Sequence, residues 1–201
     1  MNRIAQLDPA DAVGKAKELF DLAQIKLGCV PNLLRVLANA PVALDGFLSL
    51  NAALAQGVLG EKIRAQIALA VAEINDCAYC QSANAFAASA LGLTEADIKD
   101  ARNITAQDER TAAILNLARH IIVERGRLSE SEFALVRSAK LTDAEIMETA
   151  ANVALNTLTN YVNNLARTLV DFPVVASMAD DLTVVHQLKV TSEDDPEDDA
   201  Y

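Results

Sequence analysis

An all-α fold is predicted by three features of the sequence. Alanine, the best helix former, accounts for 37 of the 201 residues. Seven glycines, five prolines and no tryptophan are a poor supply for a chain of many short strands and turns. No segment alternates apolar and polar residues for long enough to make a strand.

The elements follow in order. Asp8-Pro9 places an N-cap before a proline, which predicts a helix from there to Leu27 with Gly28 ending it. Pro31 opens a short helix to about Asn39, and Pro41 a longer one to about Gln56-Gly57. Residues 61–74 form the next helix, ending at Asn75-Asp76. Another starts there, with Asn75 or Asp76 able to cap it, and runs to about Leu91-Gly92. Thr94 and Asp97 cap a short helix to about Arg102. The stretch Thr105 to Asp108 opens a helix that ends near Gly126. Ser129-x-x-Glu132 and Thr142-x-x-Glu145 read as capping boxes for two more. The last is long, from Asp143 to about Val170, and Asp171-Phe172-Pro173 stops it. A weak internal repeat at an offset of 82 pairs Leu59, Ala68, Val71, Ala72 and Tyr79 with Leu141, Ala150, Val153, Ala154 and Tyr161. It suggests two similar helical hairpins, of which the first carries the cysteines.

At 52% hydrophobic and 22% charged residues the chain is globular, and long enough to bury a core without disulfides. No apolar run reaches the roughly 18 residues of a membrane span. The start, Met1-Asn2-Arg3-Ile4, has no apolar signal core, so a cytoplasmic location is expected. The net charge of −11 excludes the basic face that duplex nucleic acid requires. Six of the acids lie in the last ten residues, which carry no base. The expected layout is a helical domain over 1–175, a C-terminal arm over 176–191 and an acidic disordered tail over 192–201. The apolar residues Val175, Met178, Leu182, Val185 and Leu188 suit an arm that docks on its own or a neighbouring subunit.

Chemistry is concentrated in the cysteines. Cys29 stands alone and is expected to be a small buried hydrophobe. Cys77 and Cys80 form Cys-Ala-Tyr-Cys, one helical turn apart on one face. Both sulfurs then fall in the first turn of a helix, where free N–H groups and the dipole favour a thiolate. Such a thiolate attacks a peroxide oxygen or a disulfide sulfur, and the second thiol resolves the product into a disulfide. Zinc needs two further ligands, and His120 and His186 are far apart with no second CxxC. Two inert packing cysteines remain the other reading. A thioredoxin fold requires strands around the motif.

Three stretches carry a family resemblance: residues 67–84 (IALAVAEINDCAYCQSAN), residues 27–41 (LGCVPNLLRVLANAP), and residues 154–164 (ALNTLTNYVNN) followed by Asp171-Phe172-Pro173. Together they resemble the AhpD-like (alkylhydroperoxidase D-like), or carboxymuconolactone decarboxylase-like, family, in its peroxidase-related branch, over roughly residues 5–175. The resemblance implies an all-helical bundle assembled as a homotrimer or a multiple of one. It implies Cys80 as the peroxidatic cysteine and Cys77 as the resolving one. A small hydroperoxide would be the substrate, and an external dithiol or thioredoxin-like protein the reductant. No bound cofactor is implied, because sulfur does the redox work. The decarboxylase members lack the cysteine pair, which argues against a muconolactone substrate.

The sequence departs from the family at its proton relay. The family's glutamate, twelve residues before the first cysteine, falls on Ala65. Its histidine, four after the second, falls on Asn84. A further histidine after Asn-Tyr-x-Asn falls on Asn164. Asparagine holds a hydrogen bond but takes no proton near neutral pH. Glu73 lies four residues before Cys77 and Glu61 one turn before Ala65, and each is expected to be a solvated charge or a cap. Tyr79 is expected to pack, and His120 and His186 to be ordinary histidines. The competing functional reading is a degenerate member that keeps the dithiol for disulfide exchange, redox sensing or interaction without peroxide turnover.

Overall fold

The computed structural model describes residues 2–176 and 178. Among these the chain forms nine helices and no strand: α1 (Gly14–Leu27), α2 (Asn32–Leu37), α3 (Pro41–Leu54), α4 (Glu61–Ile74), α5 (Ala78–Ala90), α6 (Glu95–Arg102), α7 (Glu109–Val123), α8 (Glu130–Ser138) and α9 (Asp143–Ala166). No helix among the described residues is long and apolar enough to cross a membrane.

Helix α4 is the axis of the molecule. Ile67, Leu69, Ala70, Val71 and Ala72 are all fully buried, so α4 is apolar nearly all round and must be covered on every side. Helices α5, α6, α7 and α9 cover it. Their core includes Leu59, Ile67, Leu69, Ala88, Ile114, Leu115 and Val153. A second cluster, built from Leu19, Phe20, Leu34, Leu37 and Leu44, joins α1, α2 and α3, with Val162 of α9 packed against it. Helix α9 thus lies between the two clusters, with α4 against one part of it and α2 and α3 against another.

Three of the caps read from sequence hold. Thr94, Ser129 and Thr142 each accept from the backbone three residues on, and Asp97, Glu132 and Glu145 each return the bond. Pro41 occupies the first turn of α3, and Gly28 ends α1 at φ 75°. At the head of α9, Glu145 Oε2 accepts from the Thr142 N–H at 2.8 Å and from its hydroxyl at 2.7 Å. Thr142→Ala should therefore cost about 1 kcal/mol, the usual worth of such a cap. A urea melt unchanged from that of the parent chain would show that the box contributes nothing here.

Three boundaries differ from the sequence expectation. Asp8 starts a turn rather than α1: its Oδ1 accepts from the Ala10 N–H at 2.9 Å, and the helix begins only at Gly14, at φ 56°. Neither Asn75 nor Asp76 caps α5. Asn75 ends α4, Asp76 takes a left-handed conformation at φ 44°, and Cys77 itself is the N-cap. Helix α9 ends at Ala166, four residues before Val170, because Arg167 turns left-handed at φ 51°. The repeat also breaks down past its first helix. Residues 59–79 bend between α4 and α5, whereas 141–161 continue through one unbroken α9. Of the C-terminal arm, Ala176 and Met178 are described; Leu182, Val185, His186, Leu188 and the acidic tail lie outside the described residues.

Candidate active site

Cys77 and Cys80 sit where α4 gives way to α5. The bend needs three residues, and their backbone is fixed by bonds from the Asp76 N–H to Glu73 O at 3.0 Å and from the Cys77 N–H to Ala72 O at 3.0 Å. Cys77 is extended, so its side chain folds back over the first turn. Its Sγ accepts from the Cys80 N–H at 3.3 Å. A sulfur takes the position that serine or aspartate occupies in an ordinary cap. The two cysteines are joined as a disulfide with Cα atoms 5.2 Å apart. Cys77 is fully buried and Cys80 is 4% exposed.

Helix α9 holds this bend with three asparagines. Asn160, Asn163 and Asn164 share one face at helical spacing. Asn160 Oδ1 accepts from Asn75 Nδ2 at 3.0 Å, and Asn164 Nδ2 donates to Asn75 O at 3.0 Å. Asn163 Nδ2 donates to Cys80 Sγ at 3.2 Å. Asn164 therefore pins the backbone next to the cysteines. The asparagines stood in the matched stretch 154–164, but sequence alone assigned no task to Asn160 or Asn163. Their spacing on one face was the available signal.

The relay positions hold no ionisable group. Ala65 packs against the main core, and Asn84 Nδ2 donates to Ala68 O at 3.0 Å, tying α5 to α4. Glu61 is exposed in the first turn of α4. Glu73 is neither solvated nor a cap, contrary to expectation. Its side chain is fully buried, forms an ion pair with Arg102 of α6, and accepts from Gln81 Nε2 at 3.2 Å and from the Met178 N–H at 3.3 Å. Burial of a carboxylate demands such partners, and Arg102, a residue without a role in the sequence reading, supplies the charge.

The segment after α9 returns across the cysteines. Val170 and Phe172 pack on the cluster formed by Ala72, Cys77, Tyr79 and Cys80. The Phe172 ring meets Tyr79 edge-on at 5.8 Å and Phe86 at 5.7 Å. Asp171 Oδ2 accepts from the Asn32 N–H at the head of α2 at 2.8 Å, and Val175 N–H donates to Ser82 Oγ at 3.3 Å. Tyr79 packs as expected. Its hydroxyl accepts from the Leu33 N–H at 3.1 Å. Burial pushes its phenol far above the usual range; the Leu33 N–H opposes this and the Asp171 carboxylate adds to it. Tyr79 therefore stays neutral and takes no part as a base.

Two other expectations fall away from the site. Cys29 is exposed as a free thiol in the loop after α1, not buried: Gly28 turns the chain out of the helix just before it. His120 lies on α7, with Nδ1 3.3 Å from Glu132 Oε1 of α8. Among the described residues, no group of three or more His, Cys, Asp or Glu could hold a metal ion.

Fold and site together define, among the described residues, an all-helical protein with a cysteine pair, joined as a disulfide, at the head of α5. Residues 41–121, which run from α3 into α7 and include both cysteines, match the carboxymuconolactone decarboxylase family. The fold is shared with the alkylhydroperoxidase AhpD core of a peroxidase-related protein from Ralstonia eutropha JMP134. That structure has a TM-score of 0.76 at 23% identity, covering 85% of this chain and 92% of that one. An uncharacterised peroxidase-related protein from Silicibacter sp. TM1040 gives 0.72 at 24% identity, covering 82% and 90%. The debrominase Bmp8 in its apo form gives 0.71 at 19% identity, covering 84% and 92%. No curated protein matches the chain.

Proposed function

We propose that the chain is a thiol-dependent oxidoreductase that reduces small hydroperoxides through Cys77 and Cys80. The observation that carries this reading is the pairing of the two sulfurs across one turn at the head of α5, with Cys77 Sγ already bound to the Cys80 N–H. Cys80 is the attacking sulfur: it is the more accessible of the two and receives the Asn163 amide. Its thiolate forms a bond to the terminal peroxide oxygen, the O–O bond breaks, and the alkoxide leaves as alcohol with a proton. Cys77 then attacks the Cys80 sulfenic sulfur and expels water, leaving the disulfide. An external dithiol or a thioredoxin-like protein returns two electrons and two protons. Consumption of an alkyl hydroperoxide in the presence of dithiothreitol tests the reading, and its absence sinks it.

With Ala65 and Asn84 at the relay positions, turnover should be slow. A general base contributes about 10²–10⁴ in rate. The double change Ala65→Glu with Asn84→His should raise peroxide consumption at least about 10-fold, a cautious share of that. Each single change should do less, since the histidine needs its carboxylate for orientation. The same double change with Cys80→Ser should stay inactive. A parent chain already as fast as the double variant would mean that another group supplies the base.

Burial of both sulfurs and loss of the relay favour a second reading, in which the same dithiol exchanges disulfides with a partner or senses redox state. It predicts disulfide exchange without peroxide consumption.

The protein should also be a homo-oligomer, a trimer or a multiple of one. Helix α9 leaves Leu158, Tyr161 and Leu165 between 42% and 63% exposed. Leu158 and Tyr161 line an apolar groove with Ile121 and Ile122 of α7. Such a surface gains by covering. Light scattering at micromolar concentration giving the mass of one 21.4 kDa chain would refute this.

A further inference from the structure

Asn163 is 3% exposed and reaches from α9 to the reacting sulfur. Its Nδ2 donates to Cys80 Sγ, while its Oδ1 is buried without a hydrogen-bond partner among the described residues. An unpaired buried oxygen carries a cost, so this amide is oriented at a penalty with its N–H toward sulfur. The neighbouring Asn160 is bound to Asn75, and Asn164 to the Asn75 carbonyl, so the face of α9 that carries Asn163 is fixed against the cysteine bend. A disulfide sulfur is a weak acceptor. A thiolate is a strong one, because hydrogen bonds to ionised groups are roughly twice as strong as neutral ones. The bond from Asn163 therefore strengthens when the pair is reduced.

We propose that Asn163 is a catalytic residue: its side-chain N–H bonds the Cys80 thiolate and holds it charged and aimed, where Ala65 and Asn84 offer no ionisable group. This rests on Cys80 being the attacking sulfur. Two consequences follow. Thiolate is favoured at Cys80 without a base. The reduced form is also stabilised against the disulfide, as in dithiols that act as strong oxidants. The amide has no titration of its own near neutral pH. The titratable groups around Cys80 are few. Cys77 heads the same helix. Glu73 on α4 is paired with Arg102 of α6 and reaches α5 through Gln81. Tyr79 packs edge-on against Phe172, and the Asp171 carboxylate acts on its phenol. The face of α9 turned to Cys80 carries asparagines.

The test reads the thiol directly, without peroxide. In a chain carrying Cys29→Ser and Cys77→Ser, the ultraviolet absorbance of the Cys80 thiolate is followed against pH. Asn163→Ala should raise the midpoint by about one pH unit, roughly a tenfold loss of thiolate at neutral pH. Asn163→Asp, nearly isosteric, should raise it further by placing a like charge at the sulfur. With both site cysteines present, Asn163→Ala should move the equilibrium with glutathione at least about threefold toward the disulfide. Midpoints within about 0.3 pH unit of the parent in a variant that keeps its helical circular dichroism would overturn the proposal. If the alanine variant fails to fold, the aspartate variant decides. A shifted midpoint in a protein that consumes no peroxide sinks the peroxidase reading and leaves this one standing. An unshifted midpoint in an active peroxidase does the reverse.

Discussion

Cys80→Ser should abolish peroxide-induced sulfenic acid at the cysteine pair and reduce peroxide consumption to background. Cys77→Ser should do something different. The Cys80 sulfenic acid should then accumulate, because its resolving partner, one helical turn away, is gone. The contrast follows from placement. Cys80 has the greater access and the Asn163 amide, while Cys77 is fully buried as the cap of α5. Serine at Cys77 keeps a cap acceptor, so the helix start should survive the change. Mass spectrometry after dimedone trapping checks both variants. Stable sulfenic acid on Cys77 in the Cys80→Ser protein would reverse the two roles.

Arg102→Met should be strongly destabilising, by about 3–5 kcal/mol, as when one partner is removed from a buried ion pair. The Glu73 side chain is fully buried and that of Arg102 is 11% exposed. Without the guanidinium, the carboxylate keeps, among the described residues, the Gln81 amide and the Met178 N–H. Replacing Glu73 by Gln in the same chain should recover much of the loss by removing the stranded charge. Equilibrium urea unfolding measures both. A loss below about 1 kcal/mol, the range of exposed pairs, would mean that the pair is open to water. The effect bears on function because Gln81 directly follows Cys80.

The capped helices were legible because their signals are local. Thr94, Ser129 and Thr142 announce helix starts through side chains three residues apart, and α6, α8 and α9 begin there. Helix ends were less legible, since glycine is the usual mark of a left-handed residue. Here Asp76, Ile104, Arg125, Lys140 and Arg167 adopt positive φ. Nothing in a β-branched Ile104 suggests that conformation. The early turn at Arg167 sends Val170 and Phe172 across the cysteines instead of extending α9. The cysteine pair itself was readable from spacing. The Asn163 contact and the burial of Glu73 against Arg102 were not, because each joins elements far apart in sequence; the Cys77 cap is local but cysteine is not among the usual cap residues. Cys29 shows the reverse error: a residue type that usually packs is carried out to solvent by the turn at Gly28.

The central claim is that Cys77 and Cys80 form a working dithiol that a hydroperoxide oxidises. The direct measurement starts from fully reduced protein, adds one equivalent of an alkyl hydroperoxide, and traps the remaining thiols for mass spectrometry while the alcohol is quantified. The account predicts a Cys77–Cys80 disulfide and one equivalent of alcohol, with Cys29 still alkylated. Both site cysteines recovered as free thiols, with the hydroperoxide unconsumed while dithiothreitol-reduced and oxidised forms interconvert normally, would contradict it.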